Sequence, residues 1–187
     1  RVKPADVARL GLVRSFQISA VFAHMTALEN VRVALQRKLG TSFHFWKSER
    51  SLEPLNQRAM ELLEQVGLAD VADVLTVELP YGRKRALEVA TTLALEPTVM
   101  LLDEPTQGMG AEDVDRIVEL IRRVSAGRTV LMVEHNLSVV SRLCDRITVL
   151  ARGSVLAEGD YASVSADPAV REAYMGSEAS VGEEASA

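Results

Sequence analysis

Two adjacent carboxylates stand at the end of an apolar run in TVMLLDEP (98–105), and this is the strongest chemical signal in the chain. Ionised acids are costly inside a core, so at a strand's end they need a metal, a partner or water. One reading is a strand that simply exits into an acidic turn. The chemical reading places Asp103 in the shell of a Mg²⁺ ion and makes Glu104 the base that orients an attacking water. His135 closes a second apolar run, TVLMVEHN (129–136), where alone it reads as a capping or core-edge residue. One buried strand further along the chain from the carboxylates, it could instead reach a terminal phosphate at a shared carboxyl edge. Gln17, after VRSF, is by itself a surface hydrogen-bonder. In ELPYGRKRALEVA (78–90) a glycine turn stands directly before a helix. A helix N-terminus offers free N–H groups and partial positive charge, which suit phosphate. The plain alternative is an ordinary helix start with solvated Arg83, Lys84 and Arg85. None of these features decides anything in isolation; their order and spacing do.

The elements that must position these residues follow from periodicity and punctuation. PADVARLG (4–11) predicts a short helix with proline at its start and glycine after its end, followed by the strand VRSFQ (13–17). Thr26 and Glu29 have capping-box spacing, and Leu28, Val31 and Leu35 continue a helical rhythm. Residues 40–50, GTSFHFWKSER, break it and read as an insertion between helices. Residues 53–67 return to helical spacing until Gly67 stops them. After Gly82 helix and strand alternate, which argues for a mainly parallel sheet with crossover helices. The expected order is helix 83–95, strand 98–102, helix 112–124, strand 129–133, strand 147–150 and a hairpin return over 154–158. Ligands bind such sheets at the carboxyl ends of the strands, which singles out Asp103, Glu104 and the Glu134–His135 pair. Asp167 and Pro168 predict a last helix that Gly176 stops, and the small, acidic tail 177–187 is expected to be disordered.

A chain of 187 residues with 48% hydrophobic content can bury one ordinary core, so one domain is the default. A net charge of −5 with dispersed arginines argues against nucleic acid as a partner. Cys144 is the only cysteine, so neither a disulfide framework nor a zinc site can be built, and a reducing, cytoplasmic compartment fits. Apolar runs fall short of the ~20 residues a spanning helix needs. Any work at a membrane is expected to be done from outside the bilayer.

Taken together, Gln17, LPYGR (79–83), LLDEP (101–105), GMGAED (108–113) and His135 match the order of glutamine loop, signature, Walker B, D-loop and switch histidine. The chain resembles the ATP-binding subunits of ABC transporters from the glutamine loop onward. Within that family it resembles those of branched-chain amino acid uptake systems, through VRSFQ with MTALENV, the insertion, the LPYG signature and the ending DPAVREAYMG. The resemblance implies an α/β fold, a P-loop NTPase nucleotide-binding domain of ABC type with a mainly parallel sheet and a helical subdomain. It implies a domain over 1–176, with the helical subdomain near 26–82 and the Walker B and switch core over 83–160. It implies ATP and Mg²⁺ as cofactors, with Asp103 and Gln17 on the metal, and Glu104, His135 and Gln17 in catalysis. Leu79, Pro80, Tyr81, Gly82, Arg83 and Gly110 would face nucleotide held by a second ATP-binding subunit, identical or not. Transmembrane permease subunits would complete the assembly, with this chain peripheral on the inner face of the membrane.

The departures carry equal weight. Pro80 occupies the signature serine position and offers neither hydroxyl nor N–H, so contact there must rest on the backbone of Tyr81 and Gly82 and the helix end. Gly110 occupies the D-loop aspartate position. No GxxxxGK[ST] loop and no adenine-stacking aromatic occur where the family places them, upstream of Gln17. The expectation is a chain lacking its N-terminal part, inactive alone and weak in Mg-ATP binding. The rival expectation is a non-catalytic remnant that keeps the fold without holding nucleotide.

Overall fold

The structure, a computed structural model, describes residues 7, 10–15, 21–36 and 53–173. The chain divides into two compact units, Arg1–His135 and Asn136–Ala187. The first is built on three parallel strands, β1 (Leu12–Ser15), β2 (Val99–Asp103) and β3 (Thr129–Val133), in the order β1-β2-β3. Their register pairs Ser15 with Leu102 and Asp103 with Val133, so the carboxyl ends of all three lie along one edge. Aliphatic and β-branched runs such as VMLLD and TVLMV favour the pleat, and alternation sends Val13, Met100 and Leu102 into the core. As read from the sequence, the sheet is parallel with helical crossovers.

The crossover from β1 to β2 carries α1 (Ala27–Gln36), α2 (Asn56–Val66) and α3 (Tyr81–Leu93), which pack on one another. The capping box at the start of α1 is real: the Thr26 N–H donates to Glu29 Oε2 at 2.7 Å, and the Glu29 N–H donates to Thr26 Oγ1 at 3.2 Å. Gly67 ends α2 in the left-handed conformation, φ 74°, where a side chain would be strained. Buried Asn30 fastens the entry to α1. Its Oδ1 accepts the Phe22 N–H at 2.7 Å, and its Nδ2 donates to the Phe22 and Thr26 carbonyls and to Thr76 Oγ1 at 2.9–3.1 Å. Removing those groups strands several buried partners, each costing about 1–3 kcal/mol when left unpaired. Asn30→Ala should therefore lower unfolding stability by roughly 2–3 kcal/mol in urea titrations at unchanged m-value. A loss under about 0.5 kcal/mol, the range of a neutral surface change, would contradict this account.

Helix α3 begins two residues earlier than the sequence suggests, at Tyr81 rather than Arg83, because Pro80 is its extended N-cap (φ −57°, ψ 156°) and Gly82 sits inside the first turn. Proline stiffens that boundary, and one glycine in a first turn does not stop a helix whose buried face holds Ala86, Leu87, Val89, Ala90 and Leu93. The second crossover is α4 (Ala111–Val124), with Glu112 and Asp113 in its first turn and Arg122 and Arg123 in its last, complementing the helix dipole. Its buried residues are Ile117, Val118, Leu120, Ile121 and Val124.

The second unit opens with α5 (Leu137–Leu143), capped by the Asn136 side chain, which accepts the N–H groups of Ser138 and Val139. The expected hairpin is present as β4 (Ile147–Ala151) and β5 (Ser154–Gly159), an antiparallel sheet of its own that turns through positive φ at Arg152 and Gly153. A short helix α6 (Tyr161–Ala166), capped by Asp160, follows. Asp167 then caps the helical residues 168–173, accepting the Ala169 N–H at 2.8 Å. The hydrogen bond from the Ser163 hydroxyl, and after it that from the Ser163 N–H, lower the pKa of the exposed Asp160 carboxyl. Gln17, the insertion 40–50, most of PADVARLG, Gly176 and the tail 177–187 lie outside the described residues. Among the described residues no helix is long and apolar enough to cross a membrane.

Candidate functional site

Asp103 is the last residue of β2, and its Oδ2 accepts Arg14 Nη2 at 2.6 Å from the neighbouring strand. The register explains the pairing: Arg14 lies opposite Leu101, two residues before Asp103, so both side chains leave the same face of the sheet. A cation therefore already stands on this carboxylate. Next in sequence, Glu104 takes a left-handed backbone, φ 44°, uncommon for a residue with a side chain. Such conformations persist only where the surroundings impose them.

Three contacts hold the turn that Glu104 begins. Its own N–H donates to the Val133 carbonyl at 2.9 Å, extending the β2–β3 ladder by one step. Two residues on, buried Thr106 donates through both its N–H (3.1 Å) and its hydroxyl to Glu134 Oε1, from the end of β3. The Gln107 N–H closes the turn on the Glu104 carbonyl at 3.1 Å, and the Gln107 carbonyl in turn accepts the Tyr81 hydroxyl at 3.1 Å. The other oxygen of Glu134 accepts the His135 N–H at 3.0 Å, so one carboxylate ties the turn to the His135 backbone. His135 Nδ1 then lies 3.6 Å from Glu104 Oε1, an ion-pair distance when the ring is protonated. The histidine side chain is 68% exposed and that of Glu104 25%, so the ring can meet an incoming group while the carboxylate is partly shielded.

The structure thus brings Asp103, Glu104 and His135 to one sheet edge. Leu79 is buried at 4% exposure and anchors the segment before α3. Pro80 caps α3 with no side-chain hydrogen bond, leaving the first N–H groups of the helix without a side-chain acceptor from that cap. Arg83 is turned to Asp70 at 2.8 Å. At Gly82 a Cβ would lie 2.9 Å from Cγ and Oδ1 of Asp113, so the first turns of α3 and α4 abut and the Asp113 side chain would have to move to admit one. Gly110 is the N-cap of α4 at φ −72°, with open space around its missing Cβ, so neither sterics nor backbone demands glycine there.

Among the described residues no group of three or more His, Cys, Asp or Glu gathers to hold a metal. The residues nevertheless fit Mg²⁺, which takes one or two carboxylates and keeps waters or substrate phosphates for its other positions. Asp103 is the carboxylate available, and Arg14 is the stand-in cation beside it. Sequence reasoning named Glu134 only for its place at a strand end and missed Thr106 and Arg14. A buried threonine 28 residues away and an arginine 89 residues away become partners only through strand register.

The description "ABC transporter" matches residues 3–107, and "branched-chain amino acid ATP-binding cassette transporter" matches residues 154–180. The chain is 35% identical over 180 residues to the high-affinity branched-chain amino acid transport ATP-binding protein BraF of Pseudomonas aeruginosa, covering 91% of this chain and 69% of BraF. To LivG of Escherichia coli, of the same description, it is 33% identical, covering 91% and 70%. Among solved structures it resembles the ADP conformation of an ATP-binding cassette of an ABC transporter, with TM-score 0.79 and 28% identity over 94% of this chain and 72% of the other. A nucleotide-free cassette matches with TM-score 0.75 and 26% identity over 92% and 72%. The fold is therefore that of P-loop ATP-binding cassettes. The chain belongs to the ABC transporter ATP-binding family, and its likeness within the family is to branched-chain amino acid ATP-binding subunits.

Proposed function

We propose that this chain supplies the signature, Walker B and switch segments of the ATP-hydrolysing subunit of a transporter for branched-chain amino acids or related small polar solutes, and that hydrolysis belongs to the intact protein rather than to this chain alone. The intact protein pairs with a second ATP-binding subunit and drives permease subunits from the inner face of the membrane. The observation that carries the reading is the placement of Glu104 beside Asp103 and 3.6 Å from His135, on a turn fixed by Val133, Glu134 and Tyr81. A preorganised carboxylate of this kind can accept hydrogen from water and aim it in line with a terminal phosphate. Bound at Asp103, Mg²⁺ would supply charge neutralisation to the phosphates. Asp103 would exchange its Arg14 contact for that ion, His135 would hydrogen-bond the terminal phosphate, and Gln17 would contact the metal or the water. Because Pro80 brings no hydroxyl, the facing subunit's nucleotide would be met by the N–H groups opening α3, at Tyr81 and Gly82. We group residues 26–82 as the helical subdomain carrying the signature, 83–160 as the Walker B and switch core, and 177–187 as a tail beyond the domain.

The test is reconstitution of the assembled transporter in vesicles with its solute-binding protein. Leucine, isoleucine or valine should raise ATP hydrolysis several-fold over the solute-free rate. Hydrolysis that responds to none of a panel of small polar solutes would reject the transport role.

A further inference from the structure

Tyr81 occupies a signature position that the sequence reading used only for its backbone, yet its side chain reaches from the first turn of α3 to the turn that Glu104 begins. The hydroxyl accepts Arg85 Nε at 3.1 Å and donates to the Gln107 carbonyl at 3.1 Å. Arg85 also stands over the Tyr81 ring, 5.3 Å from its centre. One turn further along α3, Arg85 Nη1 donates to Glu88 Oε2 at 2.8 Å, and both side chains are buried, at 7% and 5% exposure. Glu88 Oε1 has no hydrogen-bond partner among the described residues.

A buried ion pair with an unsatisfied oxygen is a poor source of stability, since apolar residues of similar size often serve as well or better. Its geometric effect is clearer. Burial alone would lower the Arg85 pKa, but the hydrogen bond and charge of Glu88, with Tyr81 adding to both, hold it above its usual value. A permanently charged guanidinium fixed at one end aims Nε at the tyrosine oxygen. Once that oxygen accepts a hydrogen from arginine, its own proton must point away, and the Gln107 carbonyl lies there. Each bond in such a chain polarises the next.

We propose that Tyr81 is a positioning residue, a strut that sets the turn bearing Glu104 from the first turn of the signature helix. Gln107 is the point of transmission, because its N–H closes the turn on the Glu104 carbonyl while its C=O is held by Tyr81. Movement of the first turn of α3, where the facing subunit's nucleotide would bind, pulls on the residue that begins the strained turn at Glu104. This role rests on the reading of the chain as part of an ATP-hydrolysing subunit.

Tyr81→Phe removes both hydroxyl bonds and keeps the half-exposed ring under Arg85, so the variant retains its packing. In amide hydrogen exchange on the 187-residue chain, peptides spanning 104–110 should lose protection while peptides of β2 and β3 keep theirs. In the assembled transporter kcat should fall about five- to tenfold, with KM for ATP within about twofold, the signature of an interaction realised beyond ground-state binding. Unchanged exchange at 104–110 would overturn the strut, as would protection lost uniformly across the unit, which marks a merely structural tyrosine. A wild-type transporter that does not hydrolyse ATP would defeat the functional reading, while the exchange result would still decide the strut.

Discussion

Glu104→Gln in the assembled transporter should leave ATP binding intact and lower its hydrolysis by roughly 10²–10⁴. The substitution changes charge and basicity while nearly conserving volume. Three contacts that hold the turn leave the Glu104 carboxylate out: its own N–H to Val133, Thr106 to Glu134, and the Gln107 N–H to the Glu104 carbonyl. The amide therefore stays where the carboxylate was, and what is lost is the ability to take a proton from water. Asp103 keeps its place at the end of β2, so under the proposed reading a bound Mg²⁺ would retain that carboxylate. Single-turnover hydrolysis measures the loss, and equilibrium binding of Mg-ATP serves as the control. Turnover like that of the wild type would remove Glu104 from the role of base, and a matching collapse of ATP affinity would assign it to binding.

What could be read in the sequence was local or periodic. The Thr26–Glu29 capping box, the Gly67 stop and the Asp167–Pro168 helix start each involve residues within a few positions of one another, and each is present. Strands β2 and β3 announce themselves as unbroken apolar runs, and the strand-end rule then places Asp103, Glu104 and His135 together without knowledge of any distance. Helices α5 and α6 escaped notice because seven and six residues complete at most two turns, too few for a repeat to show. Their caps, Asn136 and Asp160, were the available signals. Nor does a length suited to one core reveal that contacts gather into two compact units that divide after His135.

The supports of the site were illegible for a different reason. Glu134 and Thr106, Arg14 and Asp103, and Tyr81 and Gln107 are paired by register and by helix placement, over separations of 28, 89 and 26 residues. Residue type gives no hint of such partnerships. Glu88 even reads as an ordinary helix former, whereas it is buried with Arg85 inside α3. The chemistry-bearing groups follow from strand ends, but what aims them depends on contacts that only the folded chain makes.

His135→Ala should lower ATP hydrolysis by one to two orders of magnitude, on the order of the roughly 2–3 kcal/mol that a desolvated hydrogen bond to a charged group contributes, with ADP affinity nearly unchanged. The expectation comes from where the ring is and what it touches. Its backbone N–H is fixed by Glu134, its Nδ1 lies 3.6 Å from Glu104, and the ring is otherwise exposed at the carboxyl edge of the sheet. Because the backbone anchor does not involve the imidazole, alanine leaves Glu134 and its hold on Thr106 in place, and the turn bearing Glu104 keeps its shape. The exposed ring adds little to stability, so loss of function through unfolding is not expected. ADP lacks the terminal phosphate that the ring would meet, so its binding is the internal control. Calorimetric titration with ADP and steady-state hydrolysis of ATP on the same preparation of the assembled transporter decide the matter. Equal losses in both would make His135 a structural residue of the β3 terminus, and equal retention of both would remove it from the site.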